Sequence, residues 1–495
     1  MNLQNAFCQN GDVLEKIKEI DPLHNKLYQR TDEITMGRMF SDTFQDVMKF
    51  NVTAKAWYVY DGSIWTEDTG SVVTGRLAEV FARCLQIHLA QSVSANANSF
   101  ETDYQKYALR LGNRNARLKM TEDAKHHSHI KTLDFDKNTD LLNVKNGTLN
   151  LNTFELSEHK SEDLLTKICN ASFNPESDSY EWEKFMDEVF EGDQEKIDYL
   201  QMIFGYGLTA DTSKEDCYML YGSTTRNGKS TLLRTMETML GSYAMSINPE
   251  SLAARKLDGR QASGDLARLK GCRFLHCSEP QRGMILDAAL LKKMTGRDSL
   301  TVRNLYEREF EFFPEFKLFF NTNHRPVIND MTLFSSGRIK VIECSRHFSE
   351  EEQDVHLKEK LETEENLSGI LNWCLEGLKR FREDELHIPS CVIQATNAYK
   401  AESDKIQLFI DECVQSTGSD FNLLLRRAYD AYKGWCAANG YRAEGKKNFK
   451  EMLSSKIPIS HTGTVNGQTY YNVLLCHTLT QDGADYASKF ERNYD

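Results

Sequence analysis

The chain has 495 residues, of which 40% are hydrophobic and 27% charged, and its formal net charge is −13. The composition excludes the disordered class, and no apolar run approaches the ~20 residues of a membrane span. The acidic balance argues against a protein whose whole surface is basic. It still allows nucleic acid to bind in a channel with a basic lining. The twelve scattered cysteines form no CxxC pair, which predicts reduced core thiols in a cytoplasmic protein.

The first two segments of the chain predict a mixed domain followed by helices. Within residues 1–160, "AWYVYDGSIW" and "LLNVKNGTLNL" alternate apolar residues about an Asp-Gly and an Asn-Gly turn, so both predict hairpins. We therefore expect an N-terminal mixed α/β domain there. Residues 161–211 carry apolar residues at helical spacing and predict a helical linker or collar.

Residues 212–385 alternate short apolar strands with helices. The strand candidates are "CYMLYG", "GCRFLHCSE", "FKLFFNTN" and "RIKVIEC", and the helix candidates between them are "KSTLLRTMETML" and "DAALLKKMTG". Asp287 is the expected N-cap of the second helix. This alternation predicts an α/β fold with a largely parallel sheet.

The stretch "LYGSTTRNGKSTLLRTMETMLG" joins the first of these strands to a helix through small polar residues. In a phosphate-binding loop, backbone N–H groups cradle the phosphates, a lysine reaches the outer phosphates and a hydroxyl binds Mg²⁺. Gly228, Lys229 and Ser230 fill these roles. The loop is one residue longer than the usual spacing, or it starts with a serine; the alternative is a surface turn. We expect ATP to contact Gly222, Ser223, Thr224, Thr225, Arg226, Asn227, Gly228, Lys229, Ser230 and Thr231, with Mg²⁺ on Ser230.

Polar residues at the ends of two later strands supply the expected catalytic groups. Glu279 ends "GCRFLHCSE" and is expected to activate the attacking water, although Ser278 stands where many such ATPases have an aspartate. Asn323, or alternatively Asn321, is expected to contact the water or the γ-phosphate. The competing interpretations are a surface glutamate and a strand-end turn.

Motifs in this order resemble a known family. Residues 218–344 resemble the superfamily III helicase domain of phage, plasmid and poxvirus replication proteins, the primase–helicase type. The most specific piece is "LKKMTGRDSLTVRNLYEREFEFFPEFKLFFNTNHRPVI", while "LLNVKNGTLNL" and "MIFGYGLTAD" resemble the N-terminal domain of that family. The resemblance covers about residues 39–380.

The resemblance implies an AAA+-like P-loop ATPase that forms a hexameric ring and moves along single-stranded DNA with 3′–5′ polarity. It also implies that Lys229 and Ser230 bind nucleotide and magnesium, that Glu279 is catalytic and that Asn323 is the sensor. Arg338 lies where the family has an arginine finger that acts on the neighbouring subunit. Relatives often have a pair of arginines there, whereas "SSGRIK" has one, so a solvated arginine is the alternative.

Two regions are expected to contact DNA. In this helicase class, a hairpin such as "LTVRNLYEREFEFF" projects into the channel. The cations available near it are Lys292, Lys293, Arg297, Arg303 and Arg308. Residues 400–480 predict a C-terminal winged-helix domain for origin duplex DNA, in which the basic helix "GKKNFKEMLSSK" would present Lys446, Lys447, Asn448 and Lys450. The alternatives are a solvated helix face and a protein-contact module.

The sequence thus predicts an ATP-dependent DNA helicase that replicates a mobile element such as a phage in the cytoplasm of a bacterial host, with no membrane contact and with a separate primase as a partner. The alternative is an ATP-regulated, origin-binding initiator that does not unwind DNA. A packaging motor is disfavoured because no nuclease signature accompanies the ATPase motifs. The run "HHSH" lacks the spacing of common zinc sites and predicts a polar turn.

Overall fold

The N-terminal strands form a small sheet, and the N-terminal helices cover it. The computed structural model describes residues 10–93, 98–254, 264–303, 309–383, 386–418 and 421–491. The first elements are α1 (Asn10–Ile20), α2 (Glu33–Thr43), β1 (Met48–Asn51), β2 (Ala56–Tyr60), β3 (Trp65–Glu67), α3 (Val72–Ser92), α4 (Ser99–Arg110), α5 (Arg114–Ala124) and β4 (His129–Ile130). The sheet order is β3-β2-β1-β4. The predicted hairpin is confirmed by the β2–β3 pairing, and Asp61 accepts hydrogen bonds from the N–H groups of Ser63 and Ile64.

A second hairpin and two helices follow. They are β5 (Leu141–Val144), β6 (Gly147–Asn150), β7 (Leu156–Ser157), α6 (Tyr180–Phe190) and α7 (Gln194–Gly207). Antiparallel pairing of β5 with β6 confirms the predicted hairpin. Its buried Leu142, Val144 and Leu149 belong to the same hydrophobic core as α6, α7 and the central sheet. This hairpin therefore packs with the central part of the chain, and the predicted domain boundaries stay predictions.

The central part is a five-stranded parallel sheet. Its elements are β8 (Cys217–Tyr221), α8 (Lys229–Leu240), β9 (Ala244–Ile247), α9 (Gly264–Ala267), β10 (Phe274–Ser278), α10 (Ala288–Thr295), β11 (Leu300–Val302), β12 (Phe310–Phe312), β13 (Lys317–Thr322), α11 (Thr332–Ser335) and β14 (Ile339–Glu343). The strand order is β14-β8-β13-β10-β9, and every pairing in it is parallel. All four predicted strands and both predicted helices are confirmed. Asp287 caps α10 by accepting the N–H of Leu290 at 3.0 Å.

The edge strand β9 was not predicted. Its sequence, "AMSI", has four residues, and it directly follows the 3₁₀ turn Gly241–Tyr243. A run this short gives no readable alternation. Parallel pairing with the buried β10 stabilises it instead.

The C-terminal part consists of helices and then a small antiparallel unit. Its elements are α12 (Leu357–Leu361), α13 (Glu364–Glu383), α14 (Ser390–Ser403), α15 (Lys405–Cys413), β15 (Val414–Ser416), β16 (Asn422–Leu424), α16 (Leu425–Ala438), α17 (Lys446–Ser454), β17 (Ile459–Val465), β18 (Gln468–Leu475), β19 (His477–Leu479) and α18 (Gln481–Glu491). The sheet order is β16-β18-β17, and Phe409, Tyr432, Trp435 and Phe449 lie in its core. The predicted basic helix is confirmed as α17, and the antiparallel pair β17–β18 follows it.

The described cysteines follow the expectation of reduced core thiols. The described cysteines are all free, and most of them are buried. Each described helix is too short or too polar to cross a bilayer.

Candidate active site

The loop between β8 and α8 requires glycine at two positions. A Cβ on Gly222 would overlap Asn227 Nδ2 and lie 2.5 Å from the carbonyl oxygen of Cys344. Gly228 has a φ of 79°, and a Cβ there would overlap Val189. The loop thus runs from Gly222 to Gly228, one residue longer than the usual spacing. Inside it, Asn227 Nδ2 donates to the carbonyl of Thr224 at 2.6 Å, which closes the longer loop on itself.

Lys229 begins α8 and lies under the loop. It is only 2% exposed, and its Nζ donates to Asn323 Oδ1 at 2.9 Å and to the carbonyl of Gly222 at 3.4 Å. Burial lowers the pKa of Lys229, against the opposing effects of Cys344 and Glu279. The ammonium group therefore faces the polar ends of three strands, and a neutral amide and a carbonyl hold it there.

Asn321, within β13, and Asn323, just after it, both belong to this site. Asn321 Nδ2 donates to Ser230 Oγ at 3.0 Å, while Asn323 accepts from Lys229. The sequence predicted one or the other of these residues, but the two contact neighbouring residues at the start of α8. This follows from the parallel pairing of β8 with β13, which puts the ends of both strands at one edge of the sheet.

Glu279 follows β10 at the same edge. Its backbone N–H donates to the carbonyl of Asn321 at 2.8 Å, and its φ is 53°. A left-handed conformation is uncommon for a residue with a Cβ and costs about 1 kcal/mol or more. The side chain is exposed. The carboxylate is therefore free to meet a ligand at the edge that also carries Lys229.

The chain after β14 lies against the loop, a contact that no sequence pattern predicted. Phe348 N–H donates to the carbonyl of Arg226 at 2.8 Å, and His347 Nδ1 lies 2.8 Å from the carbonyl oxygen of Thr225. Glu350 pairs with Arg226 at 3.2 Å. The position of "CSRHF" directly after a strand was an available signal, because ligand-binding residues gather beyond the carboxyl ends of parallel strands.

A cleft of about 610 Å³ opens beside Gly228 and Thr231. Its apolar walls are Phe185 of α6, Phe348 and Leu357. The volume lies within the ~300–1,000 Å³ range of small-molecule sites. The other residues expected to contact ATP, namely Ser223, Thr224, Thr225, Arg226 and Ser230, are exposed.

Arg338 lies at the opposite edge of the sheet. It directly precedes β14, and its carbonyl accepts the N–H of Cys217, the first residue of β8. The phosphate loop begins at the far end of β8, about 16 Å away at ~3.3 Å per residue. Arg338 forms an ion pair with Glu215 and donates to Thr295 Oγ1 at 2.9 Å. It is therefore far from the loop of its own subunit.

The cations predicted to contact DNA near the β11–β12 hairpin have different surroundings. Lys292 Nζ is held by Asp330 at 2.7 Å and by Thr332 at 2.6 Å, whereas Lys293 and Arg297 are exposed. Arg303 directly follows β11. Arg308 lies outside the described residues. The antiparallel pairing of β11 with β12 confirms the predicted hairpin.

The residues of the C-terminal unit that were predicted to contact DNA also differ in their surroundings. Lys446, Lys447 and Asn448 are exposed at the start of α17. Lys450 Nζ instead donates to Asn472 Oδ1 of β18 at 2.7 Å, so it connects the helix to the hairpin. The described residues contain no cluster of ligands that could hold a metal ion. The "HHSH" run forms a turn that leads into β4.

Comparison with known proteins gives three family matches. A model described as "D5 N terminal like" matches residues 37–191, a family of unknown function (DUF5906) matches residues 220–338, and a model described as "Poxvirus D5 protein-like" matches residues 401–473. These matches cover the N-terminal, central and C-terminal parts of the chain in turn.

Similar proteins occur in large DNA viruses. A candidate helicase of frog virus 3 (isolate Goorha) is 28% identical over 52% of this chain and 28% of its own length. A candidate helicase of Acanthamoeba polyphaga mimivirus is 22% identical over 90% of this chain and 49% of its own length. A candidate primase of African swine fever virus is 25% identical over 63% and 34%, respectively. The chain thus spans less than half the length of these relatives.

Among solved structures, the apo C-terminal region of NrS-1 is similar to this chain. The TM-score is 0.50 at 11% sequence identity, and the match covers 90% of this chain and all of the NrS-1 region. At this identity the likeness concerns the mixed α/β fold.

Proposed function

We propose that this chain, which matches D5-type family models in its N-terminal and C-terminal parts, couples ATP hydrolysis to movement along DNA during replication of a viral or other mobile genome. The observation that carries this proposal is the convergence of Lys229, Ser230, Glu279 and two asparagines at one edge of a parallel sheet. Their ordered hydrogen bonds favour a built site over a surface turn. The expected bacterial host compartment stays a prediction.

The arrangement suits ATP as the ligand. Backbone N–H groups of the loop and of the first turn of α8 would face the phosphates, where the helix dipole favours negative charge. Lys229 would exchange the Asn323 amide for phosphate oxygens, because a charge-assisted hydrogen bond is stronger than a neutral one. Ser230 would hold Mg²⁺, which neutralises charge on the β- and γ-phosphates. Glu279 would accept a proton from the attacking water, and Asn321 would keep the Ser230 hydroxyl in place.

The cleft beside Gly228 would take the nucleoside. Phe185 and Phe348 offer apolar surface to a base, while the loop would hold the phosphates a few ångströms away. Because Phe348 and His347 contact the loop, binding of the base would be coupled to binding of the phosphates.

The sheet order supports an AAA+-like core acting in a ring. Numbering the five strands along the chain, the order is 5-1-4-3-2. Arg338 lies too far from its own phosphate loop to serve it, so we assign it as a finger for the site of a neighbouring subunit, and a hexamer is the ring that we propose. Such a finger contributes on the order of 10³–10⁵ in rate.

We assign two elements to DNA. The β11–β12 hairpin would follow single-stranded DNA in the channel with 3′–5′ polarity, and Lys293, on the preceding helix α10, is exposed. The order α15, β16, α16, α17, β17, β18 fits a winged helix that would bind origin duplex DNA through Lys446 and Lys447. A separate primase is the proposed partner.

The test is ATP hydrolysis by the purified chain with and without single-stranded DNA, followed by unwinding of a partial duplex. We expect DNA to stimulate hydrolysis, and Lys229→Ala to abolish hydrolysis and unwinding together. Lys379→Ala, which changes an exposed lysine of α13, is the matched control and should retain both activities. Activity of the Lys229→Ala variant close to the unmodified level would refute the nucleotide site.

The C-terminal unit also supports the alternative of an ATP-regulated initiator. In that case hydrolysis would respond to an origin duplex and not to single strands, and the partial duplex would stay paired. Unwinding that depends on Lys229 would exclude this alternative.

A further inference from the structure

The N-terminal part of this acidic protein contains a basic stretch that the proposed function leaves unused. Between Asp103 and Glu122 there is no acidic residue. The basic residues in this stretch are Lys106, Arg110, Arg114, Arg117 and Lys119. Because the whole chain has a net charge of −13, a local excess of positive charge on one surface indicates a ligand of opposite charge.

Part of this stretch lines a groove. The start of α3 and the helix α5 enclose a volume of about 560 Å³, with Trp57 beside them. Four cations line it: Arg76, Arg114, Arg117 and Lys125. The groove also contains Glu79 and Glu122.

Ion pairs neutralise two of these four cations. Arg117 pairs with Glu79 at 3.1 Å and Lys125 with Glu122 at 2.6 Å. Arg76 and Arg114 are exposed, and neither has a carboxylate partner among the described residues. The groove therefore keeps two uncompensated guanidinium groups.

The helix dipole of α3 does not add to this charge. Asp68 accepts the N–H groups of Val73 and Thr74 at 3.0 and 2.8 Å, so the start of α3 is already satisfied. The side chains carry the positive charge. Between them, Val72 and Leu118 are 70% and 54% exposed, which gives the groove an aliphatic wall.

We propose that this groove binds the phosphodiester backbone of DNA, as a contact additional to the channel hairpin and the C-terminal unit. The proposal rests on the proposed DNA-dependent function. Guanidinium groups bind phosphate oxygens bidentately, and the aliphatic wall suits deoxyribose. Arg110 and Lys119, elsewhere on the same basic stretch, are also exposed, so the local charge suits a polyanion.

The test compares charge reversals inside the groove with one outside it. Arg76→Glu/Arg114→Glu changes the groove residues of α3 and α5. Arg83→Glu reverses one charge on the exposed side of α3 outside the groove and serves as the control. Binding of labelled single-stranded and duplex DNA to the full chain is measured by fluorescence anisotropy over a series of salt concentrations, together with thermal unfolding and DNA-independent ATP hydrolysis.

We expect the double variant to bind DNA at least ~10-fold more weakly. Its salt dependence should be shallower by about 1.4 for single strands or about 1.8 for duplex, because each lost phosphate contact removes ~0.7 or ~0.9 from the slope. The form of DNA whose affinity falls further is the form that the groove binds. Arg76→Gln/Arg114→Gln should show the same slope change without introducing repulsion, and thermal unfolding and DNA-independent hydrolysis should be unchanged.

Two results would overturn the proposal, and they are distinguishable. If the double variant matches Arg83→Glu with both DNAs while DNA still stimulates hydrolysis, the groove is not a DNA contact and the proposed function stands. If the unmodified chain binds neither DNA, the proposed function falls and the groove loses its ligand with it.

Discussion

The two edges of the central sheet both bury cations, but they hold them differently. At the carboxyl edge, Lys229 is held by one asparagine side chain and by a long bond to a carbonyl. At the amino edge, Arg273 donates to the carbonyls of Leu208, Thr139 and Leu141 at 2.8, 3.1 and 2.8 Å. Lys317, on the same edge, donates to the carbonyl of Thr209.

Burial of a charge therefore does not by itself indicate function. A buried cation bound by several backbone carbonyls has partners that cannot leave, so it stabilises the fold. A buried cation bound by one amide side chain has a partner that an anionic ligand can replace. Arg338 belongs to the amino edge by position, but its partners, Glu215 and Thr295, are side chains.

Removal of Arg338 should give the largest effect on ATP turnover. For Arg338→Ala we expect ATP turnover to fall about 10³-fold or more, while nucleotide binding is retained. Mixing this variant with Lys229→Ala should restore part of the turnover, because mixed rings contain some sites with both groups intact. Failure of the mixture to recover would contradict a role across the subunit boundary. Glu215→Gln, which keeps the arginine, is the control.

Removal of the Glu279 carboxylate should have the next largest effect. For Glu279→Gln we expect ATP to bind normally and turnover to fall by about 10²–10⁴, the usual contribution of a general base. The side chain is exposed, so thermal stability should not change. The control is Glu376→Gln, an exposed position on α13. Near-normal turnover in Glu279→Gln would remove Glu279 from the mechanism.

Asn323 separates a positioning role from a purely structural one. For Asn323→Ala we expect turnover to fall about 10²-fold, because the γ-phosphate loses a hydrogen-bond partner. ATP affinity should stay the same or rise, because Lys229 no longer has to leave the amide. The measurement is kcat together with the Kd for ATP. Loss of affinity and turnover in parallel would indicate that Asn323 only supports the fold of the edge.

Lys317 tests the amino edge and should show the smallest effect. Burial lowers the pKa of this lysine well below its usual 10.5, so the unfolded chain binds more protons than the folded one at alkaline pH. Stability from this group therefore rises with pH between the two pKa values. For Lys317→Met we expect this rise to disappear, and the free energy of unfolding at neutral pH to change by no more than about 2 kcal/mol. Denaturant unfolding at several pH values measures both, and basal ATP turnover should stay unchanged.

Sequence periodicity predicted most of the central sheet, but not everything that lies around the site. The strands ending at Tyr221 and Ser278 and the helix starting at Lys229 were predicted because each is a clear apolar run next to small or polar residues. The contact between residues 347–348 and the loop was not predicted, since it joins segments about 120 residues apart and no local pattern records such a pairing. Likewise, spacing alone could not assign Asn321 and Asn323 to different partners.

The C-terminal cations show the same limit. Lys446 and Lys450 look equivalent on a basic helix, yet only the second lies within reach of Asn472, which has a φ of 56°. This contact joins the helix to a strand 22 residues further along the chain, so composition could not separate the two lysines. The roles in DNA binding of Lys292, Lys293, Lys446, Lys447 and Lys450 stay predictions.

The three carbonyls that bind Arg273 also determine how the chain can be shortened. Two of them, those of Thr139 and Leu141, lie upstream of the central sheet, and the β5–β6 hairpin fills part of its core. We expect a protein beginning at residue 161 to aggregate, because it would lack Leu142, Val144 and Leu149 and leave a buried guanidinium short of two acceptors. A protein beginning shortly before residue 138 keeps both carbonyls and the hairpin, so it should be recovered as a soluble, cooperatively folding ATPase.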